Sequence, residues 1–303
     1  GRGCEVSLSF EQAMRLAGLH PRDVVADGKW RRCATDDKPS KRNGAYVLHP
    51  DGRGFWRNWA TDDGVSSWSD DKADHAKAID PQVLEQRRQR ERAYRLQAIR
   101  SARAFWNNAR PLNRPHPYIE RKGLTPLGCA GLRQHDGLLV VPVLWKQSLI
   151  SIQTITSDGT KRFAFGAPVK AGCYVIDRPR AAVTVLVEGL ATGLAVFQSV
   201  RHARVVVAFD AGNLLPVVDL LRPAGSVVIA ADNDHGTQAR RGFNPGIEKA
   251  SNAAELIGCG VAYPEGIEGT DWADWLIQVG DNAARQMERL ILAKAKYVDG
   301  VWP

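Results

Sequence analysis

Two largely apolar runs rich in β-branched residues, Val183–Val187 and 226–231, stop abruptly on acid. The first ends in Glu188-Gly189 and the second in Asp232-Asn233-Asp234. Such runs lack the alternation of a half-solvated sheet and fit burial on both faces. Two further runs, 204–209 and 259–263, join them, with helical stretches near 190–200, 214–221, 245–257 and 272–279. Repeated strand–helix units imply a parallel sheet with crossover connections, an α/β fold. Ligands of such sheets collect outside the carboxyl ends of the strands. Glu188, Asp232 and Asp234 are therefore the residues expected to carry chemistry, and gathered carboxylates supply the oxygen ligands that hard divalent cations take.

The rest of the 303 residues divides by composition. Residues 1–75 are expected to form a small β-rich domain behind a short helix capped by Ser9, with turns at Asn43-Gly44 and Asp51-Gly52. Residues 76–115 form an Arg-rich helical segment in which Val83, Leu84, Tyr94, Leu96, Ile99 and Phe105 make a partial apolar stripe. Residues 116–180 are a β-rich basic subdomain, 181–280 the α/β unit, and 281–303 a C-terminal helix. The whole is multi-domain α+β. Asp210 follows the second strand of the α/β unit and suits a helix cap.

Lys plus Arg exceeds Asp plus Glu by 41 − 33 = +8, which favours a polyanionic partner such as nucleic acid. The basic residues cluster in 87–103, at Arg121-Lys122, at Lys161-Arg162 and at Arg240-Arg241. The last three pairs are the expected nucleotide and nucleic-acid contacts, whereas the 87–103 cluster suits either a solvated helix face or a phosphate contact. Trp30, Trp56 and Trp59 lie among basic residues and are candidates for stacking on single-stranded template bases.

The five cysteines, Cys4, Cys33, Cys129, Cys173 and Cys259, form no CxxC pair, so zinc is not expected. Their scatter suits reduced thiols in the cytoplasm. No apolar run approaches the roughly 20 residues of a membrane span, and no secretory signal opens the chain.

The Glu-Gly at one strand end and Asp-x-Asp at a later one resemble the Toprim domain shared by bacterial-type primases, topoisomerases and some nucleases. Asp271-Trp272-Ala273-Asp274 stands where many relatives carry Asp-Phe-Asn-Asp. Residues 118–124, with Arg121, Lys122 and Gly123, resemble a stretch of primases, and 138–176 are similar to the basic strands that precede Toprim. The likeness over 188–196, 209–217 and 244–250 is nearest to primases of plasmids and phages, and it extends over about 115–280.

The resemblance implies that Asp232 and Asp234 bind magnesium or manganese, that Glu188 acts in metal binding or acid–base catalysis, and that Asp271 and Asp274 contribute to the metal. It implies a DNA-dependent RNA primase that uses single-stranded DNA template and ribonucleoside triphosphates, with a replicative helicase as partner. Two alternatives stand beside it: a Toprim-type magnesium-dependent nuclease, and a non-catalytic nucleic-acid-binding replication accessory. No G-x-x-x-x-G-K-[ST] loop of the kind that accompanies such nucleases occurs.

Overall fold

The structure, a computed structural model, describes residues 8–59, 64–70 and 81–299. Cys4 and His75 lie outside the described residues, as do the side chains of Val83, Leu84, Arg87 and Arg241. The chain divides into two units, 1–88 and 89–303, with the division inside a long helix.

The first unit opens on helix α1 (Phe10–Leu16). Ser9 caps it through a reciprocal pair: its hydroxyl accepts from Gln12 N–H, and Gln12 accepts from Ser9 N–H. A five-stranded antiparallel sheet follows in sequential order: β1 (Leu19–His20), β2 (Arg31–Thr35), β3 (Gly44–Leu48), β4 (Arg53–Asn58) and β5 (Ser66–Ser69). Phe10 and Met14 of α1 close a core over Leu19, Cys33 and Tyr46.

Asp51-Gly52 forms the expected turn, with Gly52 at φ +79°. Asn43-Gly44 does not. Gly44 opens β3 instead, because a Cβ there would meet Cys33 Sγ at 2.8 Å and Leu19 Cδ2 at 2.9 Å. The glycine permits close packing in a strand, a signal that a turn dipeptide mimics.

Helix α2 (Pro81–Asn108) leads into the second unit. Its Arg-rich surface is solvated and Tyr94 and Leu96 are exposed, whereas Ala102 is buried and Phe105 packs against the same cluster. Next come β6 (Arg110–Pro111), α3 (Pro117–Arg121), β7 (Arg133–His135), β8 (Leu138–Trp145), β9 (Ser148–Ile155) and β10 (Lys161–Phe163). The strands form an antiparallel sheet in the order β10-β9-β8-β7-β6.

The α/β part contains β11 (Tyr174–Ile176), β12 (Val183–Val187), α4 (Leu190–Ser199), β13 (Ala203–Val207), α5 (Ala211–Leu221), β14 (Gly225–Ala230), α6 (His235–Arg241), α7 (Pro245–Ile257), β15 (Gly260–Ala262), α8 (Trp272–Val279), α9 (Ala283–Leu292) and β16 (Lys296–Val298). Its sheet runs β11-β13-β12-β14-β15. The four strands β13, β12, β14 and β15 are parallel, and β11 adds antiparallel to β13.

Register explains why these strands carry no polar alternation. Val185, Val205 and Val228 lie in one row, under a core that includes Leu194, Trp272 and Met287. Leu186, Val206 and Ile229 form the next row, on the opposite face, with Leu214, Val217 and Ala250. Each face carries its own helical layer, and each fully buried Val, Leu or Ile contributes about 1.5–3 kcal/mol.

Two further details differ from the sequence-based expectation. Residues 235–241 after the second acidic motif form helix α6 rather than a loop. The C-terminal segment is not a lone helix, for β16 returns to pair antiparallel with β14 at Gly225–Val227. No helix among the described residues is long and apolar enough to cross a membrane.

Candidate metal and nucleotide site

Glu188 ends β12, and Asp232 and Asp234 follow β14, the neighbouring parallel strand. The parallel register therefore brings the three acids to one edge of the sheet. Glu188 Oε1 accepts weakly from Asp232 N–H at 3.4 Å. Asp232 Oδ1 accepts from the Thr192 hydroxyl of α4 at 2.7 Å.

The loop between them is anchored on all sides. Asn233 donates through Nδ2 to Pro264 O (2.7 Å) and through its backbone N–H to Thr270 O (2.7 Å). Asn244, the N-cap of α7, accepts from Asp234 N–H at 3.3 Å and donates to Asn233 Oδ1 at 2.8 Å. Such a network fixes a loop that a bare acidic motif would leave free.

The electrostatics follow from burial. Loss of hydration pushes the Glu188 carboxyl up, to about 8, and the neighbouring Asp232 charge adds to it. Asp232 is pushed up as well, first by burial, although the Thr192 hydroxyl and Lys161 pull it down. Carboxylates crowded in a poorly solvated site hold protons or recruit a cation.

The space they face is small and oxygen-lined. A Cβ on Gly246, in the first turn of α7, would stand 2.7 Å from Asp232 O, 3.2 Å from Glu188 Oε1 and 3.4 Å from Asp234 Oδ2. The missing side chain leaves a cradle onto which Glu188 and Asp234 present carboxylate oxygen and Asp232 its main-chain carbonyl. An all-oxygen set of this kind fits magnesium or manganese. As the side chains stand, no group of three or more His, Cys, Asp or Glu among the described residues forms a ready metal cluster. Gly246→Ala is expected to fill the cradle and weaken magnesium binding about 10–100-fold, as for other groups that support metal ligands. Calorimetric titration checks this, and unchanged affinity would remove Gly246 from the site.

The other expected site residues fall into several places. Lys161 on β10 reaches the edge, with Nζ 3.6 Å from where a Gly189 Cβ would be. Phe163, on the same strand, packs edge-on against Phe209 at 5.8 Å. Arg162 is exposed. Arg121 lies 5.9 Å from the Tyr118 ring, and its Nη2 lies 2.7 Å from where a Gly159 Cβ would be. Arg240 is exposed on α6.

Lys122 does not face open solvent. Its ammonium donates to both Asp271 Oδ2 and Asp274 Oδ1 at 2.7 Å, so the expected phosphate contact and the two expected metal contributors occupy one another. Burial opposes the Lys122 charge, and the two carboxylates outweigh it and raise its pKa. Asp210 caps α5, accepting from Asn213 N–H at 3.0 Å, and Phe209 before it adopts φ +74°.

In the first unit, Trp30 is 55% exposed and Trp59 37%. Arg32 lies over the Trp59 ring at 4.1 Å, with Arg57 at 5.6 Å. Trp56 packs against Phe10 at 5.8 Å, so much of its ring is committed to the core. Cys33 is buried in that same core, and His49 packs edge-on against Phe55. Burial pushes the thiols of Cys129, Cys173 and Cys259 up to about 11, which suits packing rather than nucleophilic chemistry.

The sequence does not single out Thr192, Asn244, Gly246 or Trp272 as site residues. Asn244-Pro245 carries a readable signal, an Asn cap followed by proline at the first helical position. Nothing local marks Thr192 or Gly246, because their roles arise only when α4 and α7 meet the sheet edge.

The acidic edge of the parallel α/β sheet, with Glu-Gly after one strand and Asp-x-Asp after its neighbour, is the arrangement that the resemblance to Toprim domains implies. Residues 183–282 match the Toprim domain family. The chain is homologous to two DNA primases TraC of Escherichia coli. One is 33% identical over 270 residues, 82% of this chain and 24% of that protein; the other is 31% identical over 283 residues, 84% and 19%. The chain thus spans about a quarter or less of those relatives. Among solved structures, the primase fragment of the bacteriophage T7 primase-helicase is similar over 59% of this chain and 78% of its own, at TM-score 0.41 and 13% identity. The DnaG primase catalytic domain bound to single-stranded DNA is similar over 68% and 84%, at TM-score 0.42 and 13% identity.

Proposed function

We propose that this chain is the catalytic part of a DNA-dependent RNA primase, which joins ribonucleotides on a single-stranded DNA template. The observation that carries the proposal is the convergence of Glu188, Asp232 and Asp234 on the Gly246 cradle, beside Lys161. Homology to DNA primase TraC over most of the chain supports it.

In nucleotidyl transfer a 3′-hydroxyl attacks an α-phosphate, a new O–P bond forms, and the bond to pyrophosphate breaks. Glu188, Asp232 and Asp234 would hold magnesium or manganese, which offsets charge on phosphoryl oxygens and on the leaving group. Glu188 would either share the metal or take the proton of the attacking hydroxyl. Lys161 faces the incoming triphosphate and Arg121, Arg162 and Arg240 the backbone phosphates, where fixed cations stabilise developing charge.

Template bases stack on Trp30 and Trp59 of the first unit, with Arg32 and Arg57 beside Trp59. A cleft of about 480 Å³ there is lined by Arg22, Arg31, Arg32, Lys41 and Arg42, and its positive charge suits the phosphate backbone. Trp59→Ala is expected to weaken single-stranded DNA binding by about 1–3 kcal/mol, the usual worth of one base–aromatic stack. Fluorescence anisotropy checks it, and unchanged affinity would exclude Trp59 from the template path. A helicase completes the set of partners, and the free thiols suit a cytoplasmic setting.

The deciding experiment incubates the chain with single-stranded DNA, labelled ribonucleotides and magnesium. New short oligonucleotides establish the primase. Magnesium-dependent shortening of the DNA, without synthesis, would replace this reading with that of a nuclease.

A further inference from the structure

Asp271 and Asp274 resemble spare metal ligands, yet their oxygens are already committed. Asp271 Oδ1 accepts from Asp274 N–H at 2.8 Å and so caps α8. Asp274 Oδ2 accepts weakly from Thr270 N–H at 3.4 Å. The remaining oxygen of each carboxylate accepts from Lys122 Nζ at 2.7 Å. All three side chains are less than a third exposed.

The residues around this knot hold the metal loop. Trp272 is fully buried, and its indole N–H donates to Ala231 O at 3.1 Å, on the peptide that leads into Asp232. Thr270 O accepts from Asn233 N–H at 2.7 Å, on the peptide that leaves Asp232. Segment 270–272 therefore grips the backbone on both sides of Asp232.

We propose that Lys122, Asp271 and Asp274 form an ion-paired clamp that positions Asp232 through Thr270 and Trp272, and that the two aspartates are not metal ligands. The proposal rests on the assignment of Asp232 to the metal site. A tryptophan serves this clamp where phenylalanine cannot, since only the indole carries a donor.

Five variants of the full chain decide it, each followed by calorimetric titration with magnesium and by primer synthesis. Lys122→Met leaves two carboxylates without their cation, which strains the clamp. It is expected to weaken magnesium about 10-fold, the scale seen when groups behind metal ligands are removed. If the aspartates were ligands, freeing them would tighten magnesium instead, and the clamp would be overturned.

Adding Asp271→Asn and Asp274→Asn to Lys122→Met removes the uncompensated charge and keeps a capping side chain. This triple variant is expected to return to within about 3-fold of wild type, the non-additivity of a coupled network. A triple variant as weak as Asp271→Asn/Asp274→Asn alone would mean that the acids bind metal. Trp272→Phe should keep the fold, read by its thermal midpoint, and lose affinity with Lys122→Met; wild-type affinity would break the link to Asp232. Asp232→Asn in the same titration judges the underlying reading. If it binds magnesium as wild type does, the metal assignment fails, and primer synthesis by the clamp variants still tests the clamp.

Discussion

Asp232→Asn is expected to lower primer synthesis by about 10³-fold or more while leaving the fold intact, an effect of the size seen when a principal stabiliser of transition-state charge is lost. The substitution keeps shape and volume, and its carbonyl oxygen can still accept from the Thr192 hydroxyl that Asp232 Oδ1 now engages at 2.7 Å. What it removes is one negative charge from a site where burial and neighbouring carboxylates already oppose charge. Folding should therefore not suffer, whereas cation binding should. Parallel measurement of the thermal midpoint, magnesium affinity and synthesis separates the two. An active Asp232→Asn enzyme would remove the carboxylate from the chemistry, and a collapsed thermal midpoint would make it a structural residue.

The second large effect is on pH. The Glu188 and Asp232 carboxyls lie above their ordinary range in the folded chain, chiefly through burial. The unfolded chain therefore releases these protons at lower pH than the folded chain does. Stability from this pair is fully present below about pH 4 and is lost as pH rises through the raised folded values, towards pH 8. Metal-free protein should lose several kcal/mol between pH 5 and 8, since each tenfold difference in proton affinity between the folded and unfolded chain is worth about 1.4 kcal/mol. Glu188→Gln should flatten that slope.

Magnesium competes with the same protons, so its affinity should climb over the same interval and offset the lost stability. Denaturant unfolding at several pH values, with and without magnesium, checks both statements. A metal-free stability that is level from pH 5 to 8, or rises, contradicts the buried-carboxylate account. Because the two groups interact, the pair titrates as a unit.

The α/β core is legible in the sequence because its physics is local to each strand. Val183–Val187 is apolar at four of its five positions and buried at all of them, as a strand covered on both faces requires. The acids are legible for the same reason, since a carboxylate after such a run has one edge to occupy. Asp210 is recognisable as a cap because capping chemistry spans only three residues.

What cannot be read depends on meetings between distant segments. Lys122 and Asp271 are 149 positions apart, and nothing in either neighbourhood announces an ion pair. Gly246 looks like any helical glycine until Asp232 O is found 2.7 Å from its absent Cβ. Asn43-Gly44 misleads because a turn and a crowded strand both call for glycine.

The return of β16 to β14 bears on how this domain can be cut and made. The Toprim match ends at residue 282, yet Met287 and Ile291 lie fully buried in the core beyond it. Lys296–Val298 covers the backbone of Gly225–Val227. A fragment ended at the family boundary would expose both an oily seat and a row of unpaired amides, the pattern that invites strands of other molecules to add on. During synthesis the sheet likewise stays open at that edge until roughly seventy further residues have followed β14 from the ribosome, an interval in which a chaperone has something to hold.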